Sequence, residues 1–156
     1  MLSVSLKQVV EQLETANDEM VSYINRANGE LVMIDIESSS LAEDDCDGNL
    51  EHLPEWQRDV VVEAKRVRAD KNFIALPGQY DINEYEIMER FCLSLDSEHM
   101  QNSLLAALKG RGAFARFKAF IYTENIHENW FAFKNTALKQ IAIDFLDSEN
   151  IPYQID

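Results

Sequence analysis

Apolar side chains recur every three or four positions at Leu6, Val9, Val10, Leu13 and Ala16, which predicts an amphipathic helix of about four turns opened by Ser5. Two short runs, Val21–Asn25 and Glu30–Ile36, flank Asn28-Gly29, a dipeptide suited to the positive backbone angles of a tight strand-to-strand turn, and predict a β-hairpin. From Ser38 to Leu53 the chain turns to Ser, Asp, Glu and Gly, a composition that predicts a mobile acidic loop at about 38–53. A second helix is expected after Pro54, with Trp56, Val60, Ala64 and Val67 along one stripe. Phe73-Ile74-Ala75-Leu76, stopped by Pro77-Gly78, predicts a third strand beside the hairpin.

Beyond Pro77 the period is helical throughout. Tyr85, Met88, Phe91, Cys92 and Leu95 mark one stripe, Leu104, Leu105 and Leu108 the next, and Phe114, Phe117, Phe120 and Ile121 a third. The longest carries Ile126, Trp130, Phe133, Ala137, Ile141 and Phe145. The expected architecture is α+β: a small antiparallel sheet, the hairpin plus a third strand, packed against a larger helical half of about four helices. Ile151–Ile155 suits either a further edge strand or a tail, because Pro152 is tolerated in both.

Length and composition narrow the class. At 156 residues, the chain suits a single domain over 1–156, and 46% hydrophobic with 27% charged residues is the balance of a folded protein. Met1–Val10 mixes Ser3, Ser5, Lys7 and Gln8 among its apolar residues, so no targeting segment is expected, and a soluble cytoplasmic protein is. Cys46 and Cys92 lack a nearby cysteine partner, which predicts free thiols.

Charge is unevenly spread. The formal net charge is −14, and residues 1–57 hold 13 acids against 2 bases. Such a chain would be repelled by a phosphate backbone, so general nucleic-acid binding is disfavoured. One segment runs the other way: residues 109–118 hold 4 bases and no acid. Gly110 and Gly112 allow one helix to end and the next to begin with free amides, and Lys109, Arg111, Arg116 and Lys118 surround them with positive charge. Lys109, Gly110, Arg111, Gly112, Arg116 and Lys118 are therefore the candidate anion-binding residues, with a tight helix-to-helix connection as the bland alternative. No longer glycine-rich nucleotide loop is present, and the turn follows a helix where such loops follow a strand.

Other constellations point to structure. Glu43–Glu51 partly imitates a calcium loop, but Pro54 stands where the last bidentate carboxylate belongs, so no metal site is predicted. His52, His99 and His127 are scattered, with His127 placed to cap the last helix or face solvent. Ser94, Ser97 and Ser103 lie in or near helices without a strained elbow. Glu84, Glu86 and Glu89 are paired carboxylates of an acidic protein, and Glu86 and Arg90 are spaced for a helix-surface ion pair. Phe114, Phe117, Phe120, Trp130, Phe131 and Phe133 are expected in the core.

Phe73-Ile74-Ala75-Leu76-Pro77, Glu84 to Phe91, and Leu108 to Lys118 with Trp130 downstream resemble the bacterial proteins grouped as uncharacterised protein family one-five-eight, over roughly residues 70–146. The resemblance implies a bacterial cytoplasmic protein and brings no reaction, cofactor or catalytic residue. With no complete catalytic or cofactor signature, the leading expectation is a non-enzymatic binding or regulatory protein without a cofactor. Its acidic N-terminal half would face a cationic partner, in the sharper form as an acidic, antitoxin-like or immunity-type inhibitor of a basic protein. The alternative is an enzyme or sensor holding a phosphorylated small molecule at the basic turn.

Overall fold

The structure, a computed structural model, describes residues 3–15, 17–44, 53–79 and 81–155, with 41–44 as backbone alone. The chain is α+β. Its packing forms two compact units: Met1–Ile82 with Ile141–Asp156, and Asn83–Gln140.

The first unit opens with β1 (Val4–Ser5) and α1 (Leu6–Glu14). Ser5 Oγ accepts from the Gln8 amide, the expected start signal, and Leu6, Val9, Val10 and Leu13 form the buried stripe. The helix is shorter than its periodicity suggested: Thr15 is its C-cap, and the chain turns from there toward β2 (Met20–Asn25).

β2 is the centre of a three-stranded antiparallel sheet, flanked by β3 (Leu31–Asp35) and β4 (Phe73–Ala75). Tyr23 lies opposite Val32 on one side and Ala75 on the other, so hairpin and third strand both form as predicted. The turn is wider than a two-residue loop. The Asn25 amide donates to Glu30 O, the Gly29 amide to Asn25 O, and Gly29 alone takes a positive φ, of 78°. Asn28 contributes its side chain, whose Oδ1 accepts from the Glu30 amide.

Strand alternation sends Tyr23, Val32, Ile34 and Phe73 to one face, where they pack on Val61, Ala64 and Val67 of α3 (Glu55–Ala69). Trp56 falls outside that stripe and is 68% exposed: five residues before Val61, it lies about 140° around the helix. Arg66 fastens α3 to the sheet. Its guanidinium donates to both Glu30 carboxylate oxygens, at 3.3 and 2.8 Å, and to Glu63, while its plane lies 5.1 Å from the Phe73 ring centre. That hydrogen bond holds the Glu63 carboxyl below its ordinary range. On the opposite face Ile24 is buried, and Ser22 Oγ donates to Gln12 Oε1 of α1.

The stretch expected as a loop from Ser38 begins as helix. α2 spans Ile36–Asp44, and Asp35 Oδ2 accepts from the Ser38 amide, as an N-cap carboxylate does. The serines that suggested disorder sit just inside a capped first turn, and Ser38 is buried. The remainder of that loop, with Cys46 and most of the calcium-like segment, lies outside the described residues. At the other end of the chain β5 (Tyr153–Gln154) pairs in parallel with β1, apart from the three-stranded sheet.

The second unit is helical: α4 (Glu84–Ser94), α5 (Glu98–Ala107), α6 (Ala113–Thr123) and the first part of α7 (His127–Ser148). Asn83 and Ser97 cap α4 and α5 through their side chains. Phe91 is the hub of the core, meeting Phe117, Trp130 and Phe133 edge-on at ring-centre distances of 6.2, 5.4 and 5.5 Å. Of the aromatic set expected in the core, Phe117 and Trp130 are buried and Phe120 and Phe133 half-buried. Phe114 is 56% and Phe131 51% exposed. On α7 the buried positions are Trp130, Leu138, Ala142 and Leu146, displaced from the predicted Ile141 and Phe145.

Candidate functional site

The basic turn joins α5 to α6. Gly110 and Gly112 both take left-handed backbone, at φ 75° and 81°, which explains the two glycines in sequence. α5 ends without a basic residue in its last turn, so its carbonyl end lacks the cation it favours. Arg116 supplies one from the next helix. Nε donates to Ala107 O at 2.9 Å, Nη1 to Arg111 O at 2.6 Å, and Nη2 to Lys109 O. Tyr85 Oη closes the same end from α4 by donating to Leu108 O at 2.9 Å. A Cβ at Gly112 would lie 3.0 Å from Arg116 Nη1, so the second glycine also clears space for the guanidinium.

The six candidate residues thus separate by role. Gly110, Gly112 and Arg116 build the connection, and the guanidinium that could have gripped two oxygens of a ligand is turned onto backbone carbonyls. Lys109 and Arg111 are exposed at the turn. Lys118, two residues beyond Arg116, borders a separate cleft on the same unit with Phe114, Tyr122, Phe131 and Lys134. The segment is therefore a capped helix connection that leaves cations on two surfaces.

Among the other candidates, Ser97 Oγ is occupied as a cap and Ser94 Oγ donates to Phe91 O. His99 is exposed on α5, and His52 lies outside the described residues. His127 neither caps α7 through a side-chain bond nor faces solvent freely. Its ring stacks on Tyr122 at 4.5 Å, and Nδ1 is buried without a hydrogen-bond partner among the described residues. Glu84 is bridged by Lys134 at 2.8 Å, a pairing between α4 and α7 that helical spacing cannot reveal, and Glu86 makes no ion pair with Arg90. Cys92 is fully buried, and burial foremost, with the nearby Glu89 carboxylate adding to it, pushes its thiol up to about 11. Among the described residues no three His, Cys, Asp or Glu side chains gather to hold a metal ion, and no helix is long and apolar enough to cross a membrane.

The two units differ sharply in charge. By sequence, the first holds 21 acids and 7 bases, a formal −14, and the second holds 7 of each. The whole imbalance of the molecule belongs to one unit. Within it, exposed Glu11 and Glu14 occupy the last turn of α1, where a helix favours cations, and exposed Asp18 and Glu19 follow directly.

Fold and surface together define an α+β protein made of an acidic mixed unit and a neutral helical one. The chain belongs to the uncharacterised protein family UPF0158, whose model matches residues 1–156, so the family likeness extends well beyond the 70–146 segment that first carried it. No curated protein and no solved structure matches the chain. Membership brings no activity, since the family is described as uncharacterised.

Proposed function

We propose that this is a non-enzymatic binding protein of the bacterial cytoplasm that engages a basic protein partner through its acidic unit. The observation that carries it is the segregation of charge: all 14 net negative charges fall in one unit. The acids at the end of α1 work against the helix dipole, so local stability does not account for their placement. Such a surface raises the rate of encounter with cationic partners and rejects polyanions. The use of Arg116 as a helix cap favours this reading over a phosphate site at the basic turn, because each of the three nitrogens of the guanidinium held in place there already donates to a backbone carbonyl.

The test is retention of partners from native bacterial lysate on the immobilised protein at low ionic strength, followed by a salt step. A basic protein released by salt is expected. If that protein is an enzyme, its activity should fall as the acidic chain is added in excess. Recovery of no partner across several growth conditions would contradict the proposal.

A further inference from the structure

The neutral helical unit carries a second surface, independent of the acidic one. α4, α6 and α7 enclose a cleft of about 310 Å³, within the range that small organic ligands occupy. Its floor is apolar and buried: Met88, Phe117, Ile121 and Trp130. Its rim is aromatic and open, with Phe114, Phe131 and Tyr122 exposed by 56, 51 and 48%. Single exposed aromatics are ordinary, but three converging on one hollow above an apolar floor leave a contiguous apolar patch facing solvent. The rim is also held in place, since His127 stacks on Tyr122 and meets Phe131 edge-on at 6.4 Å.

Charge then selects the ligand. Two lysines border the cleft. Lys134 is neutralised by Glu84 at 2.8 Å, whereas Lys118 has no ion pair or side-chain hydrogen bond among the described residues. One uncompensated positive charge therefore stands beside an aromatic box. Lys118 lies in the interior of α6, where its own amide is committed to a helix bond, and the other lysine is already paired, so the cleft does not offer the paired cations that a phosphate dianion requires.

We propose that this cleft binds a small amphipathic monoanion: a flat ring system or short acyl body seated among Phe114, Tyr122 and Phe131, with one carboxylate or sulfonate beside the Lys118 ammonium.

The test uses 8-anilinonaphthalene-1-sulfonate, a ring system with one anionic group, beside its uncharged counterpart N-phenyl-1-naphthylamine. Each is titrated into the intact native protein carrying Trp56→Phe, which leaves Trp130 as the only tryptophan. Both probes should bind, with energy transfer from Trp130 at the cleft floor. Lys118→Gln should weaken the anionic probe about tenfold and leave the neutral one unchanged, while Lys109→Gln changes neither. Phe114→Ala and Phe131→Ala, at exposed positions that leave the thermal melt intact, should weaken both probes. Anion affinity insensitive to Lys118→Gln, or equal weakening of both probes by it, would overturn the monoanion. Absence of native-state binding, or indifference to both phenylalanine variants, would overturn the cleft itself.

Discussion

At the scale of single residues, position in sequence and role in the fold separate most clearly at the basic turn. Lys109, Arg111, Arg116 and Lys118 read alike as a cluster of cations near two glycines, yet Arg116 satisfies three carbonyls and the others satisfy none among the described residues. Arg116→Ala should therefore cost about 1–2 kcal/mol in denaturant unfolding, since the carbonyls at the α5 end lose their donors, whereas Arg111→Ala should stay within about 0.5 kcal/mol. Equal effects would show that the guanidinium is not a structural cap. The glycines were legible because left-handed backbone has few other occupants, but the direction of a long arginine is decided by carbonyls left over from a different helix. Cys92 was legible as a buried thiol from its place in an apolar stripe, and its pKa follows from that burial. Its neutral form is favoured in the fold, so the associated stability is present below the unfolded value of 9.0 and is lost as pH rises toward about 11. With Cys46→Ser making Cys92 the only thiol, labelling near pH 8 should proceed at the rate of unfolding, because the sulfur is buried in the native state and its ionised form is disfavoured there. Labelling at the rate of a free cysteine would contradict its burial.

At the scale of elements, helix starts were easier to read than helix faces and ends. Ser5 opens α1 as predicted, and Pro54 stands at the N-cap of α3. The burial stripes drifted by a residue or more at Trp56, Phe114 and Phe145, since neighbouring elements select the buried face and periodicity alone does not name them. One stop signal was present and unread. Glu124-Asn125-Ile126 and Glu149-Asn150-Ile151 repeat the same tripeptide, and each asparagine takes a left-handed turn, φ 56° and 57°, while the following isoleucine amide reaches back to Ile121 O and Leu146 O. Both helices thus end in the same Schellman closure with asparagine in place of glycine. The docking of α3 on the sheet has its own test. Arg66→Met should lower the melting temperature by a few degrees at neutral pH through loss of Glu30 and Glu63. Because the Glu63 carboxyl is held below its ordinary 4.5, that contribution is complete above 4.5 and disappears as pH falls through the depressed native value. The gap between variant and wild type should narrow in acid, and a gap independent of pH would assign the loss to packing on Phe73 instead.

At the scale of the whole molecule, the α+β class, the three-stranded sheet and the four C-terminal helices follow from period and turn chemistry, whereas the division into two units and the pairing of the chain ends do not. β1 and β5 are two residues each and lie at opposite ends of the sequence, too short for any pattern to mark them. The charge asymmetry was visible by segment, but its meaning depended on where the units divide: only then does the whole imbalance fall on one of them. The most direct measurement is a parallel lysate capture by wild type and by a variant with Glu11→Gln, Glu14→Gln, Asp18→Asn and Glu19→Gln, all at exposed positions, at about 50 and 500 mM salt. Wild type should retain a discrete basic protein at low salt and release it at high salt, and the variant, with an unchanged circular dichroism spectrum, should retain far less at either. Equal retention by the two, or retention by wild type that survives high salt, would contradict a partner held by the acidic unit.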